Sequence, residues 1–143
     1  MNKEKTTLTT DEILKRLDQN EPVSKEEIDF VTPKQLKHLL RDDIIENSKY
    51  SINQIATECN ITPSHLLDFL NSKKNMNRNK ILSLLIVLGY DITKTRQFLT
   101  GLGYNGLYAR NVRDFIILNG IKDKLPLDKI NEKLKEGFED TLC

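Results

Sequence analysis

A chain of 143 residues with 38% hydrophobic and 30% charged side chains is long enough to bury one core unaided and too balanced to be disordered as a whole. Its formal net charge of +1 gives no molecule-wide attraction for nucleic acid, and its longest apolar stretch, Ile81 to Leu88, is far short of the ~20 residues that span a bilayer. Cys59 and Cys143 stand in no CxxC or Cys/His spacing, so neither a zinc site nor a disulfide framework is expected, and no cofactor is indicated.

The amino terminus is charged and lacks the apolar run of a secretory signal, which predicts a cytoplasmic protein with no membrane segment. Residues 1–31 hold more acids than bases and carry two helix-start signals. In each, a Ser or Thr oxygen accepts an orphan amide hydrogen while a Glu three residues on reaches back. Thr9 with Glu12 leads into Ile13, Leu14 and Leu17; Ser24 with Glu27 leads into Ile28, Phe30 and Val31. Thr32 with Gln35, and Pro33 at the first helical position, predicts a longer helix with Leu36, Leu39, Leu40 and Ile44 on its apolar face.

Ser51 with Gln54 starts the next helix, which carries Ile52, Ile55, Ala56 and Cys59 and stops at Asn60, a residue that tolerates left-handed backbone. Thr62-Pro63 restarts a helix through Leu66, Leu67, Phe69 and Leu70. Asn71 to Asn77 then reads as a loop. Ile81 to Leu88 is apolar nearly all round, as a central buried helix is, and Gly89 ends it. Asp91 caps a helix bearing Ile92, Phe98, Leu99 and Leu102, broken by Gly101 to Gly106. Val112, Phe115, Ile116 and Leu118 predict a helix stopping at Asn119-Gly120, and Leu127, Ile130 and Leu134 a last one ending near Gly137. No alternating strand pattern is present, so the expected fold is all-α, with about seven or eight short helices. It divides into short helices over 1–31, a core over 32–102 and a helical extension over 103–143 that packs on the core or forms a dimer contact.

The spacing around Ala56 carries the functional argument. Counted from Ile52, the positions a helix-turn-helix needs apolar are Ile55, Cys59, Ile61, Leu66 and Phe69. Ala56 stands at the close crossing, and Asn60 where positive φ is required. Such spacing fixes two short helices at a steep angle and projects the second toward a major groove about 12 Å wide. On these residues the stretch from Leu36 to about Leu102 resembles the XRE, or λ-repressor-like, helix-turn-helix family. The run Gly103 to Asp114 and the stretch Asn131 to Leu142 resemble the helical tail of a short bacterial subgroup. The resemblance implies a non-enzymatic, homodimeric, sequence-specific DNA-binding regulator of transcription whose recognition helix is Thr62 to Asn71.

Its groove-facing positions are then Thr62, Pro63, Ser64, Leu67, Asp68 and Asn71. None is an Arg or Gln placed for bidentate readout, Leu67 offers apolar contact at most, and Asp68 accepts from cytosine while repelling phosphate. Asn53 and Gln54, at the start of the first helix of the pair, are candidate phosphate contacts. So are Lys73, Lys74, Arg78 and Lys80, clustered without an acid between Asn71 and Ile81. Four such cations in each half of a dimer engage about eight phosphates, which predicts a slope of log K against log salt near about −7.

Other readings attach to the same residues. An exposed strip of Leu67 and Leu70 suits a protein partner, as in an adaptor or antitoxin-like protein. Gly101-Leu102-Gly103-Tyr104-Asn105-Gly106 satisfies GxGxxG, but a helix precedes it where a dinucleotide site needs a strand. His38 and His65 lack ligand partners at useful spacing. The adjacent acids Glu26-Glu27 and Asp42-Asp43 point to different sides of a helix, so general acid-base chemistry has no support. Arg110, Arg113 and Asp114 read as ties between the extension and the core. Phe115 to Leu118 and Ile130 to Leu142 are candidate dimer faces.

Overall fold

The computed structural model describes residues 32 to 143; the helix starts at Thr9 and Ser24 lie outside them. Among the described residues there are seven α-helices and no strand. They are α1 (Pro33–Asp42), α2 (Ile52–Glu58), α3 (Pro63–Leu70), α4 (Arg78–Val87), α5 (Ile92–Gly101), α6 (Val112–Lys122) and α7 (Leu127–Glu136). A π-helical turn, Asp43–Asn47, prolongs α1.

Local chemistry sets where these helices begin. Thr32 accepts the Gln35 amide at 3.2 Å while Gln35 Oε1 accepts the Thr32 amide at 2.8 Å, and Ser51 and Gln54 repeat the exchange at the same distances. The side chains of Thr62, Asn77, Asp91 and Asn111 each accept the amide three residues on. Each such bond satisfies one of the donors a helix start leaves open, worth about 1 kcal/mol.

α4 is the centre of the described chain: Ile81 to Ile86 are all buried, and α2, α5 and α7 pack around it. The one hydroxyl in that run, Ser83, donates to Asn79 O at 2.9 Å, so it enters the core satisfied. Gly89, at φ 78, closes the helix. α1 packs on α3 and α5 through Leu36 and Leu40, with Ile44 buried in the π turn. Leu39, expected on this face, is exposed, because the buried stripe steps by four residues and passes it. Tyr90 fastens the π turn: its hydroxyl donates to Asp43, and Lys94 Nζ lies 3.5 Å from the same carboxylate and 4.1 Å from the Tyr90 ring centre.

α6 departs from its sequence pattern. Of the face predicted from Val112, Phe115, Ile116 and Leu118, Ile116 and Leu118 pack half-buried against the core while Val112 and Phe115 are exposed; the fully buried positions are Asp114, Ile117, Gly120 and Ile121. Nor does the helix stop at Asn119-Gly120. It continues to Lys122 because Gly120 is a point of close approach to α7: a Cβ there would lie 2.5 Å from Ile130 Cγ1. The reversal comes at Lys124, φ 57, where the Leu125 amide donates back to Gly120 O at 2.9 Å. α6 packs on α5 and α7 on α4, so residues 103–143 share one compact unit with residues 32–102. Among the described residues, no helix is long and apolar enough to cross a membrane.

Candidate nucleic-acid interface

α2, a short turn and α3 form two helices packed on each other by the residues their spacing singled out. Ile55, Ala56, Cys59, Leu66 and Phe69 are buried, and Ile61 packs against the same cluster from a half-buried position. Asn60 takes φ 59, and the Ile61 amide donates to Ala56 O at 2.9 Å, closing α2 with a left-handed turn. α3 is consequently two-sided: Leu66, Phe69 and Leu70 face the core, while Thr62, Pro63, Ser64, Leu67 and Asn71 are exposed and Asp68 is half-buried. The exposed strip expected from Leu67 and Leu70 reduces to Leu67.

The basic cluster divides. Lys80 turns inward, its Nζ donating to Cys59 O at 3.1 Å and Asn60 O at 3.3 Å, where it satisfies carbonyls at the end of α2 and in the turn. Arg78 is also taken: Nε donates to Asn105 O at 3.0 Å, and Nη2 to Gly106 O at 2.9 Å and to both Asp114 oxygens at 3.2 and 3.3 Å. Asp114, nearly buried, accepts the Tyr108 amide as well, at 3.0 Å. These two cations, expected on phosphate, are internal ties, because carbonyls and a buried carboxylate from other elements reach them first. Arg113 is a third tie, to Asn79 Oδ1, Asp140 O and Thr141 O.

Lys73 and Lys74 remain outward. The loop that carries them is held by its own contacts: both lysine amides donate to Asp68 O, Ser72 adopts left-handed backbone at φ 61, Met76 is buried, and Tyr104 donates its hydroxyl to Met76 O. His65 Nε2 lies 3.1 Å from Asn75 O. Lys74 Nζ stands 3.8 Å from Asp68, an exposed pair worth under about 1 kcal/mol and easily exchanged for another anion. Sequence reasoning missed Arg41, whose Nη1 donates to Asn71 Oδ1 at 3.1 Å and so brings a cation from α1 to the end of α3. Thirty residues separate the pair, and no local signal marks it.

Asn53 and Gln54 are exposed on the first turn of α2, with Gln54 Oε1 committed to its cap. Tyr50, Asn53, Gln54, Thr57 and Glu58 line a shallow cavity of about 290 Å³ there. The GxGxxG segment has no strand before it; Gly101 ends α5 and Gly103, at φ 95, makes the turn that follows. Among the described residues no group of three or more His, Cys, Asp or Glu could hold a metal ion.

Burial pushes the Cys59 thiol up to about 12, with Cys143 and Glu58 adding to the rise and Lys80 opposing it. Thiolate is the nucleophile, so the folded chain is expected to react with an aromatic disulfide reagent at exposed Cys143 and to release the second equivalent only on unfolding. Two fast equivalents would contradict a buried Cys59. Because the folded pKa lies above the unfolded value, this stability contribution is intact below pH 9.0 and is lost as pH rises toward about 12.

Comparison with protein-family models, with curated proteins and with solved structures finds no match to this chain.

Proposed function

We propose that the protein is a cytoplasmic, sequence-specific DNA-binding regulator of transcription with a λ-repressor-like core, acting as a homodimer without cofactor or catalytic residue. α3 is its recognition helix. The supporting observation is the two-sidedness of that helix: its apolar residues are consumed in the core, while Ser64, Leu67 and Asn71 stand exposed beside the outward Lys73 and Lys74 on a loop held by its own hydrogen bonds. Helices of this kind read base edges, while neighbouring cations fix register on phosphate.

Removal of Arg78 and Lys80 from the phosphate set changes the expected electrostatics. Lys73 and Lys74 from two protomers neutralise about four phosphates, so log K against log salt is expected to fall with a slope near about −4 rather than about −7. Fluorescence anisotropy on a labelled duplex, titrated at several salt concentrations, measures it. The K73A/K74A protein is expected to lose most of that slope; a slope unchanged by the double substitution would count against the reading.

The adaptor or antitoxin-like reading keeps one specific observation in its favour. Leu67, 40% exposed, occupies the middle of the outward face where a base-reading polar group would serve better. Binding at this face that ignores salt and depends on Leu67 would favour it.

A further inference from the structure

The turn between α4 and α5 and the turn between α6 and α7 together line a cleft of about 510 Å³, a size typical of small-molecule sites. Its apolar surface comes from Ile86, Tyr90, Ile92, Ile121 and Leu125. Ile86, Tyr90 and Ile121 keep 8%, 9% and 7% of their surface accessible, whereas Leu82, Leu85 and Ile117, on the same helices as the two isoleucines, keep none. The core is open to solvent at this cleft. The Tyr90 hydroxyl is committed to Asp43, so what the tyrosine has left to offer is its ring.

Lys122 and Lys124 also line the cleft, and both are exposed. Neither forms an ion pair among the described residues. Lys122, in the last turn of α6, is explained in part by the helix dipole. Lys124 is not: it stands beyond the helix at φ 57, where Gly is the usual residue because left-handed backbone disfavours a side chain. Asp91, the one acid in the described lining, caps α5 by accepting the Lys94 amide at 2.8 Å. The cleft thus offers an apolar bed with a net positive charge at its mouth.

We propose that it binds a small amphipathic anion, its carboxylate at Lys122 and Lys124 and its aliphatic or aromatic body against the apolar bed. An apolar cleft without cations favours neutral ligands, and two exposed cations alone hold an anion weakly; the combination selects a molecule that carries both features. Flexible fatty acids and planar aromatic acids share that chemistry. The site has no residue in common with α3 or its loop, and it stands whether or not α3 reads DNA.

The test titrates the full, isotope-labelled chain without DNA and follows its amide shifts by NMR. Octanoate is expected to bind with a Kd on the order of 100 μM and to move amides of residues 86–93 and 121–126 together. Hexanoate is expected to bind about fifteenfold more weakly, because each buried methylene is worth about fourfold. Octanol is expected to lose about tenfold against octanoate, and octylammonium more. The K122E/K124E protein, altered at two exposed positions, is expected to keep its circular dichroism, to lose about tenfold in octanoate affinity and to prefer octylammonium. Naphthoate distinguishes the two sources: binding tighter than octanoate supports a planar aromatic ligand, and binding weaker than octanoate supports an aliphatic one. Shifts scattered away from the two turns, no saturation by about 10 mM octanoate, or octanoate affinity unchanged in K122E/K124E would overturn the proposal.

Discussion

Arg78→Ala is expected to destabilise the described unit by about 3 kcal/mol while leaving the salt slope of the folded protein unchanged. The guanidinium is only 24% exposed and its carboxylate partner 8%, so deletion strands a nearly buried Asp114 charge and two loop carbonyls together. Arg78→Lys recovers little of this, because an ammonium cannot span both carbonyls and the carboxylate as the planar fork does. Asp114→Asn retains an acceptor for the Tyr108 amide and is expected to cost less than Arg78→Ala. Urea unfolding of the three variants measures the losses. A change within about 0.5 kcal/mol for Arg78→Ala, accompanied by a shallower salt slope, would return Arg78 to the phosphate contacts its sequence position suggested.

The two faces of α3 are expected to respond oppositely to truncation. Phe69→Ala removes a side chain 1% exposed at the centre of the helix pair and is expected to cost about 3–5 kcal/mol, lost transfer energy plus an unfilled cavity. Lys37 Nζ, 4.6 Å from the Phe69 ring centre, loses its cation–π partner in the same variant. Leu67→Ala, two residues away, is expected to change stability by no more than about 0.5 kcal/mol, and its effect belongs instead to binding. Equal losses for the two variants, in thermal or denaturant unfolding, would contradict the division of the helix into an inner and an outer face.

What the sequence disclosed follows from the range of the interactions involved. Caps are side-chain to backbone bonds across three residues, so Thr32, Ser51, Thr62 and Asp91 were all legible, and so was the left-handed Asn60 at the end of α2. The apolar spacing around Ala56 was legible for the same reason: two short helices and one tight turn leave few ways to bury Ile55, Leu66 and Phe69 together. Arg78 and Lys80 were not, because their partners lie 20 to 36 residues away in sequence. An acid-free stretch of lysine and arginine looks free until the chain folds back on it.

α6 departs in part from its apolar pattern for a different reason. Its buried stripe includes Asp114, whose charge is neutralised by Arg78, and Gly120, whose lack of a side chain is what lets α7 approach. Neither registers as apolar, whereas exposed Val112 and Phe115 do. Leu39 fits an apolar pattern of three- and four-residue steps, but the buried stripe of α1 steps by four through Leu36, Leu40 and Ile44 and leaves it exposed.

Selection of binding sites from a randomised duplex library, at one fixed salt concentration, bears most directly on the DNA reading of α3. The expected outcome is enrichment of an inverted repeat whose half-sites lie about 10 base pairs apart, abolished or altered at defined positions by Ser64→Ala and Asn71→Ala. A library that emerges with no enriched sequence, from protein shown to be folded by its unfolding transition, would contradict a base-reading role for the outward face of α3.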